Sequence, residues 1–183
     1  MYKRQLVNEP KILLALSNQK DKLSNRAIIK DGLISGTKCW YEYQQVNKTV
    51  NYNEEYIVYP NVSFGNNFSL STGAVIDMTA FLIKSNSRYL LAILNSKLIA
   101  FLMKIWSISR RGGYLEYKVQ YIEKIPIKNI SETKQKPFIV LVNKILELKQ
   151  QNQDTTDLEA EIDRLVYELY GLTEDEIKII EGK

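Results

Sequence analysis

The residues in this sequence that could do chemistry are mainly cationic and aromatic side chains in two clusters. The first lies around Lys38-Cys39-Trp40-Tyr41, and the second begins at Arg110-Arg111-Gly112-Gly113. Arginine reads guanine bidentately in the DNA major groove, tyrosine hydroxyls hold phosphates, and glycines let a backbone approach a phosphate closely. The pattern predicts DNA contacts at six positions: Lys38, Tyr41, Arg110, Arg111, Tyr114 and Lys118.

The same residues also have purely structural interpretations. A tyrosine or tryptophan in a strand is commonly a core residue, because its ring buries a large apolar area. An arginine pair in a loop is commonly no more than a solvated surface feature. The six positions are therefore chosen by charge and by their expected placement in loops.

The sequence carries no signature of a catalytic centre. It has no histidine and one cysteine, Cys39, which excludes a His-dependent triad, a His- or Cys-pair zinc site and a disulfide within the chain. Glycine-rich phosphate loops, HExxH and GxSxG are absent. Without a histidine base, Cys39 is interpreted as a small apolar side chain. We therefore expect no catalysis, no metal and no cofactor in this chain.

Charge is distributed unevenly along the 183 residues. Residues 1–128 hold 18 Lys/Arg against 9 Asp/Glu, a net charge of +9, whereas residues 129–183 hold 7 against 12, a net charge of −5. A positive segment attracts a polyanion and an acidic one does not. The imbalance favours nucleic-acid contact through residues 1–128, although proteins without such a role show similar imbalances.

The first part of the chain has the alternation and the β-branched and aromatic composition of short strands. One short apolar run after a proline predicts a helix at Ile12–Leu16. Strands are predicted at Trp40–Val46, Tyr56–Val62, Ala74–Met78, Phe81–Lys84 and Leu115–Tyr121. The last of these has its charged residues facing solvent, and Pro126 closes it because proline cannot continue a central strand.

A change of period marks a helix inside this strand-rich part. Tyr89–Trp106 places its large apolar residues on one face, which predicts a buried helix. Ser87 is one candidate for its N-cap, and Ser96 allows a later start.

The last part of the chain has the 3.6-residue period of amphipathic helices. One apolar stripe covers residues 138–148 and a second covers 158–169, separated by the polar turn Lys149–Thr156. Capping-box spacings at Thr156/Glu159 and Thr173/Glu176 begin the second helix and a short last one, and Gly171 ends the second. The two stripes indicate a helical hairpin, which either buries both stripes against the first part or protrudes from it.

These elements predict an α+β fold. A mixed or antiparallel sheet with a buried helix forms a recognition domain over residues 1–128, and a C-terminal helical hairpin forms an extension over residues 129–183. No apolar run approaches the ~18 residues of a membrane span, and the N-terminus lacks a signal peptide. We expect the chain in the reducing cytoplasm.

The order of several short motifs resembles a known family. They include Leu23-Ser24-Asn25-Arg26, Trp40-Tyr41-Glu42, Tyr56–Pro60, Phe81-Leu82-Ile83, Tyr89–Lys97, Gly112-Gly113-Tyr114, Tyr121–Ile127 and Ile162–Leu172. Over roughly residues 10–180, the series is similar to the TaqI-like C-terminal specificity domain of restriction–modification DNA adenine methyltransferases, including fused type IIG enzymes. The Ile125-Pro126-Ile127 element with its paired helices is also similar to type I specificity subunits.

The resemblance implies a parent enzyme that recognises a short sequence in double-stranded DNA and flips out an adenine. That enzyme methylates N6 with S-adenosylmethionine, and fused versions also act as endonucleases. The Asn-Pro-Pro-Tyr-type run, the cofactor-binding glycine motif and the nuclease signature are absent here. The resemblance therefore implies a non-catalytic fragment that binds DNA and associates with a methyltransferase domain. Base-contacting residues do not transfer by motif, because each enzyme reads its own site.

Two further hypotheses stay open. In one, the helical hairpin of residues 129–183 is a protein-interaction module, as in a type I specificity subunit, with no DNA role. In the other, the chain is a standalone enzyme, which the missing motifs argue against.

Overall fold

The structure, a computed structural model, describes residues 10–42, 50–74, 76 and 78–183, and gives no side-chain description for Pro10 and Leu13. The fold is α+β, with nine helices and five short strands among these residues. The chain divides into two compact units, residues 1–51 and residues 52–183. The predicted fold class is confirmed. The predicted functional division between residues 128 and 129 stays a prediction.

The first unit contains three helices among its described residues. Its helices are α1 (Pro10–Ser17), α2 (Lys20–Ser24) and α3 (Ala27–Ile34), so the helix predicted at Ile12–Leu16 is confirmed.

The strand predicted at Trp40–Val46 is wrong over its first three residues, which form a turn, and residues 43–49 lie outside the described residues. The physical reason is Arg26, whose Nη2 donates to the carbonyl oxygens of Trp40 at 3.2 Å and Glu42 at 2.8 Å. These carbonyl oxygens are satisfied by a guanidinium rather than by a neighbouring strand.

A three-stranded antiparallel sheet opens the second unit. Its central strand β1 (Glu55–Pro60) pairs with β3 (Ser69–Thr72) on one side and β4 (Ala80–Ile83) on the other, while β2 (Val62–Ser63) leaves this sheet. The strand predicted at Phe81–Lys84 is therefore confirmed, and the strand predicted at Tyr56–Val62 is confirmed as far as Pro60, after which the chain passes into β2.

No strand forms at residues 74, 76 and 78, the described part of the predicted strand Ala74–Met78. Both edges of β1 are already occupied by β3 and β4, so this segment serves as the connection between them.

The predicted helix Tyr89–Trp106 is in fact two helices, α4 (Arg88–Asn95) and α5 (Lys97–Trp106). Both serines considered as caps are used: Ser87 Oγ accepts from the Leu90 amide at 3.2 Å, and Ser96 Oγ accepts from the Ile99 amide at 3.4 Å. Ser96 is extended, with ψ 156°, so it interrupts the helix.

Most of α4 and the inner face of α5 are buried in the core. Among the described residues no single helix is long and apolar enough to cross a membrane. Helices α4 and α5 are long and apolar enough only when they are counted together, and their axes are bent by 58° at the break between them.

The predicted strand Leu115–Tyr121 is wrong beyond its second residue. It is reduced to β5 (Leu115–Glu116), which pairs antiparallel with β2, and helix α6 (Val119–Ile122) follows. The chain turns after Tyr117, whose side chain is buried and whose hydroxyl donates to Asn66 Oδ1 at 2.9 Å. Glu116, expected on the solvent side, is only 1% exposed.

The C-terminal helices are α7 (Glu132–Gln150), α8 (Thr156–Tyr170) and α9 (Glu174–Glu181). Their apolar stripes join the core, where the Phe138 ring lies 5.4 Å from the Tyr89 ring of α4 in an edge-to-face arrangement. Of the two alternatives left open by the sequence, burial against the preceding part is the one observed.

The caps of these helices largely follow the sequence. Gly171 ends α8 with φ 71°, in the left-handed region, and Thr173 with Glu176 forms the expected capping box. The box predicted at Thr156 is wrong, because Thr155 is the N-cap and its hydroxyl hydrogen-bonds the Glu159 carboxylate at 2.8 Å.

Asp163 on α8 ties the C-terminal helices to the helix break. Its Oδ1 accepts from the Lys97 amide at 2.7 Å, at the first residue of α5, and its Oδ2 lies 3.7 Å from Lys97 Nζ. A carboxylate at a helix N-terminus satisfies a free amide and interacts favourably with the helix dipole. Burial nevertheless raises the pKa of Asp163, although the Lys97 amide and ammonium oppose that effect.

We expect Asp163→Ala to lower the free energy of unfolding by about 1–2 kcal/mol, because the Lys97 amide loses its acceptor. Asp163→Asn keeps an oxygen acceptor and removes the cost of burying a charge, so it should stay close to the wild type. Urea denaturation followed by circular dichroism measures both. Equal losses in the two variants would show that the amide hydrogen bond is not what matters.

Candidate nucleic-acid interface

Two loops of the second unit form one surface, named here the paired loops: residues 61–68 and residues 107–118. The short ladder β2–β5 aligns them, with Ser63 opposite Leu115. As a result, the ring of Phe64 lies 5.9 Å from the ring of Tyr114 in an edge-to-face arrangement. Segments separated by about fifty residues in the sequence thus present side chains side by side.

The second loop is a tight hairpin turn. The Arg110 amide donates to the Tyr114 carbonyl at 2.7 Å, and the Gly113 amide donates to the Arg110 carbonyl at 3.2 Å. Gly112 and Gly113 have φ angles of 84° and 80°, which residues with side chains rarely adopt. The glycines were expected to permit a close backbone approach, and at Gly113 the group that approaches is Phe64, 3.4 Å from where a Cβ would lie.

A buried carboxylate organises two of the predicted DNA-contacting cations. Arg110 Nε donates to Glu116 Oε1 at 2.7 Å, its Nη2 contacts the same oxygen, and Lys118 Nζ lies 2.7 Å from Glu116 Oε2. Hydrogen bonds from Lys118 and Arg110 hold the pKa of Glu116 below its usual range. Arg110 and Lys118 are therefore partly neutralised, and their first role is to hold the hairpin against β5.

Arg111 is in a different situation. It is exposed at the outer end of the turn and makes no ion pair with any of the described residues. The paired loops contain three cations and one carboxylate, and that carboxylate is the buried Glu116. The exposed part of the surface therefore carries positive charge without an exposed acidic group.

Phe64 is a site residue that sequence reasoning missed. It is 71% exposed, and its partner Tyr114 is 47% exposed. A signal was available in the sequence: an aromatic residue stands in the turn-forming run Ser63-Phe64-Gly65-Asn66-Asn67, where a core role is unusual.

Hydrogen bonds brace the first loop against the core. Asn66 Nδ2 donates to the Ser96 carbonyl at 2.9 Å, and Asn67 Nδ2 contacts Ser63 Oγ at 2.5 Å. Asn95 closes a reciprocal pair with the Phe68 backbone, accepting from its amide at 3.1 Å and donating to its carbonyl at 2.9 Å. The exposed Phe64 ring is thus carried by a loop fixed on both sides.

The other two predicted contact residues belong to the first unit. Lys38 Nζ lies 3.8 Å from the Glu42 carboxylate, and the Tyr41 ring packs edge-to-face on Trp40 at 5.4 Å. A hydrogen bond with the partly buried Cys39 raises the pKa of Tyr41. The structure therefore brings together Arg110, Arg111, Tyr114 and Lys118 in the second unit, while Lys38 and Tyr41 lie in the first unit.

No cluster of three or more Cys, Asp and Glu side chains in the described part of the chain is arranged to hold a metal ion.

The family of the chain follows from a match over most of its length. The family described as the TaqI-like C-terminal specificity domain matches residues 4–127. The chain belongs to this family, so it contains a specificity domain of a restriction–modification system. The match ends at residue 127, short of the expected residue 180, and helices α7–α9 lie beyond it.

We expect Glu116→Gln to lower the melting temperature at neutral pH, because Arg110 and Lys118 lose their shared anion. A carboxyl whose pKa is lowered by folding stabilises the protein above its unfolded pKa, and this contribution disappears as pH falls through the folded pKa. The difference from the wild type should therefore shrink on acidification. Thermal melts between neutral pH and about pH 3 measure it.

Glu123→Gln is the matched control, because Glu123 is exposed just after α6. It should melt like the wild type at every pH. A Glu116→Gln deficit that did not change with pH would contradict the proposed role of the charge.

Proposed function

We propose that this chain is the DNA target recognition domain of a site-specific adenine-N6 DNA methyltransferase. It holds double-stranded DNA while a catalytic domain outside this chain flips and methylates the adenine, in an enzyme of the type II class that includes nuclease-fused type IIG members. The chain itself supplies no catalysis, and S-adenosylmethionine belongs to the partner domain. The compartment that fits this work is the cytoplasm, where such an enzyme meets its DNA.

The observation that carries the proposal is the exposed face of the paired loops. It combines an exposed cation at a glycine turn, two exposed aromatic rings and no exposed carboxylate. Cations facing phosphates release counterions and supply affinity without sequence preference. Loop side chains can enter a groove where each base pair shows its own pattern of donors and acceptors.

Rigidity of the loops supports the same function. Base flipping costs a few kcal/mol, so the duplex must be held firmly from outside the catalytic pocket. The Arg110–Glu116–Lys118 ion pairs and the Asn66–Ser96 hydrogen bond fix the two loops before any ligand arrives. A surface that is already ordered loses less conformational entropy on binding.

Arg111 gives the sharpest test. The chain should bind mixed-sequence duplex DNA with an affinity that falls steeply as salt rises, and Arg111→Ala should weaken binding and reduce the slope of log K against log salt by about 1. Fluorescence anisotropy over a salt series measures both quantities.

Lys134→Ala is the matched control, because it removes one exposed cation from α7. It should leave the slope unchanged. A chain that fails to bind DNA even at low salt, or a slope lowered equally by both variants, would contradict the assignment of the paired loops.

A second candidate function is protein interaction through the C-terminal helices. An open groove of about 610 Å³ lies between α7 and α8, with Val140 (65% exposed), Pro137 and Leu165 among its lining residues. These helices lie beyond the family match, so they are available for a different role, such as docking the methyltransferase domain.

Deletion of α7–α9 cannot test this candidate, because Phe138, Val142 and Val166 are core residues. We instead expect Val140→Asp to abolish co-elution with the methyltransferase domain in size-exclusion chromatography, while DNA binding and melting temperature stay at wild-type values. Unchanged co-elution would remove the groove from consideration.

A further inference from the structure

The exposed rings of the paired loops, Phe64 and Tyr114, lie outside the buried core. Phe64 is 71% exposed and contacts Tyr114 and Gly113 rather than the core. Two more apolar side chains of the same loops, Val62 at 43% and Ile108 at 51%, are also exposed. An exposed apolar patch that the fold does not require marks a binding surface.

Charge indicates which ligand fits this patch. Arg111 lies on the same turn as Tyr114, and the only carboxylate of the paired loops is buried beneath two cations. An apolar patch beside positive charge is complementary to DNA, which presents base edges and thymine methyl groups between two rows of phosphates.

Phe64 has no hydrogen-bonding side-chain group, so its ring can neither read a base edge nor bind a phosphate. Against a duplex it can only pack on apolar surface, and the largest apolar surface of DNA is the face of a base. Apolar side chains that enter between base pairs unstack that step and kink the duplex.

A side chain that opens a base step must resist being pushed back. The Tyr114 ring lies beside Phe64 at 5.9 Å and supports it from that side, and the loop that carries Phe64 is fixed by side-chain hydrogen bonds of Asn66 and Asn67. Gly113 completes the support by letting the ring rest against the backbone of the hairpin.

We propose that Phe64, backed by Tyr114, is a wedge that partly unstacks a base-pair step of the bound duplex. This inference rests on the proposed DNA-binding function and adds a separate interaction to it. The wedge contributes apolar stacking, whereas Arg111 contributes phosphate attraction. The two contributions differ in salt dependence, because only the second releases counterions.

The test uses the full chain and a mixed-sequence duplex containing TA steps, which unstack most easily. Permanganate oxidises thymines whose faces are exposed, so it reports unstacking whatever the recognition sequence is. The wild type should make thymines at TA steps reactive. Phe64→Ala should abolish this reactivity and weaken binding roughly tenfold, with the salt slope unchanged.

Phe64→Trp, which keeps a ring, should retain the reactivity. Ile179→Ala, which trims an exposed apolar side chain on α9, should behave as the wild type. Circular dichroism confirms that each variant is folded, as expected for a change at an exposed position.

The outcomes separate the two proposals. If the wild type binds DNA but leaves thymines unreactive, or if Phe64→Ala gives the same reactivity, the wedge is overturned and DNA binding stands. If Phe64→Ala changes only co-elution with the methyltransferase domain, the patch is a protein contact and the wedge is likewise overturned. If no variant binds DNA at low salt, the proposed function itself fails.

Discussion

The second unit depends on the interruption of a buried helix at Asn95-Ser96-Lys97. Each of these three residues bonds a different part of the unit. Asn95 holds the Phe68 backbone, the Ser96 carbonyl accepts from Asn66, and the Lys97 amide donates to Asp163 of α8. In a continuous helix the Lys97 amide would donate to the Ile93 carbonyl, so the break is what makes it available to Asp163. The Ser96 carbonyl accepts from Asn66 in addition to the Ala100 amide.

One consequence is that the loop carrying Phe64 and the C-terminal helices share a single anchor. The break lies in the core, with Ser96 only 1% exposed, and low local dielectric strengthens hydrogen bonds made there. Helix α8 is therefore bonded to the same break that holds the loop, without contributing side chains to the site. This agrees with a family match that covers the loops and ends before α7.

The three cations of the paired loops divide into two that form ion pairs within the fold and one that is exposed for binding. Arg110 and Lys118 share the buried Glu116, which orients the hairpin and uses part of their charge. Arg111, one residue after Arg110, is exposed and makes no ion pair among the described residues. Neighbouring arginines thus serve different purposes, because only one of them pairs with the buried carboxylate.

Tertiary placement also changes what the aromatic residues do. Tyr117 is buried and donates its hydroxyl to Asn66, and burial raises its pKa to about 12. Tyr114, three residues earlier, is exposed and supports Phe64. Sequence spacing alone would place both rings in or beside one strand, whereas Tyr114 ends the glycine turn before β5 and Tyr117 enters the core after it.

Local signals in the sequence determined several features directly. The family resemblance, the α+β class, the stop at Gly171 and the box at Thr173 were all predicted from residue types and their spacing. The signals at Gly171 and Thr173 are reliable because each acts on backbone only a few residues away. Gly171 lacks a side chain and so adopts the left-handed conformation, and the Thr173 side chain caps nearby amides. The cationic and aromatic candidates of the hairpin, and the excess of positive charge before residue 129, are likewise readable from residue types.

Only the tertiary structure decided which strands form, where the long helix breaks and which cations are held in ion pairs. A strand forms only where a neighbouring strand offers an unpaired edge. Both edges of β1 are paired with β3 and β4, so the segment that joins β3 to β4 does not pair with β1. The alternation of the sequence predicts Glu116 on the solvent side, whereas in the structure it is buried and paired with Arg110 and Lys118. Nothing in the sequence relates Phe64 to Tyr114, which become neighbours because β2 pairs with β5. These features depend on contacts between residues that local patterns do not relate, because the partners come together only when the chain folds.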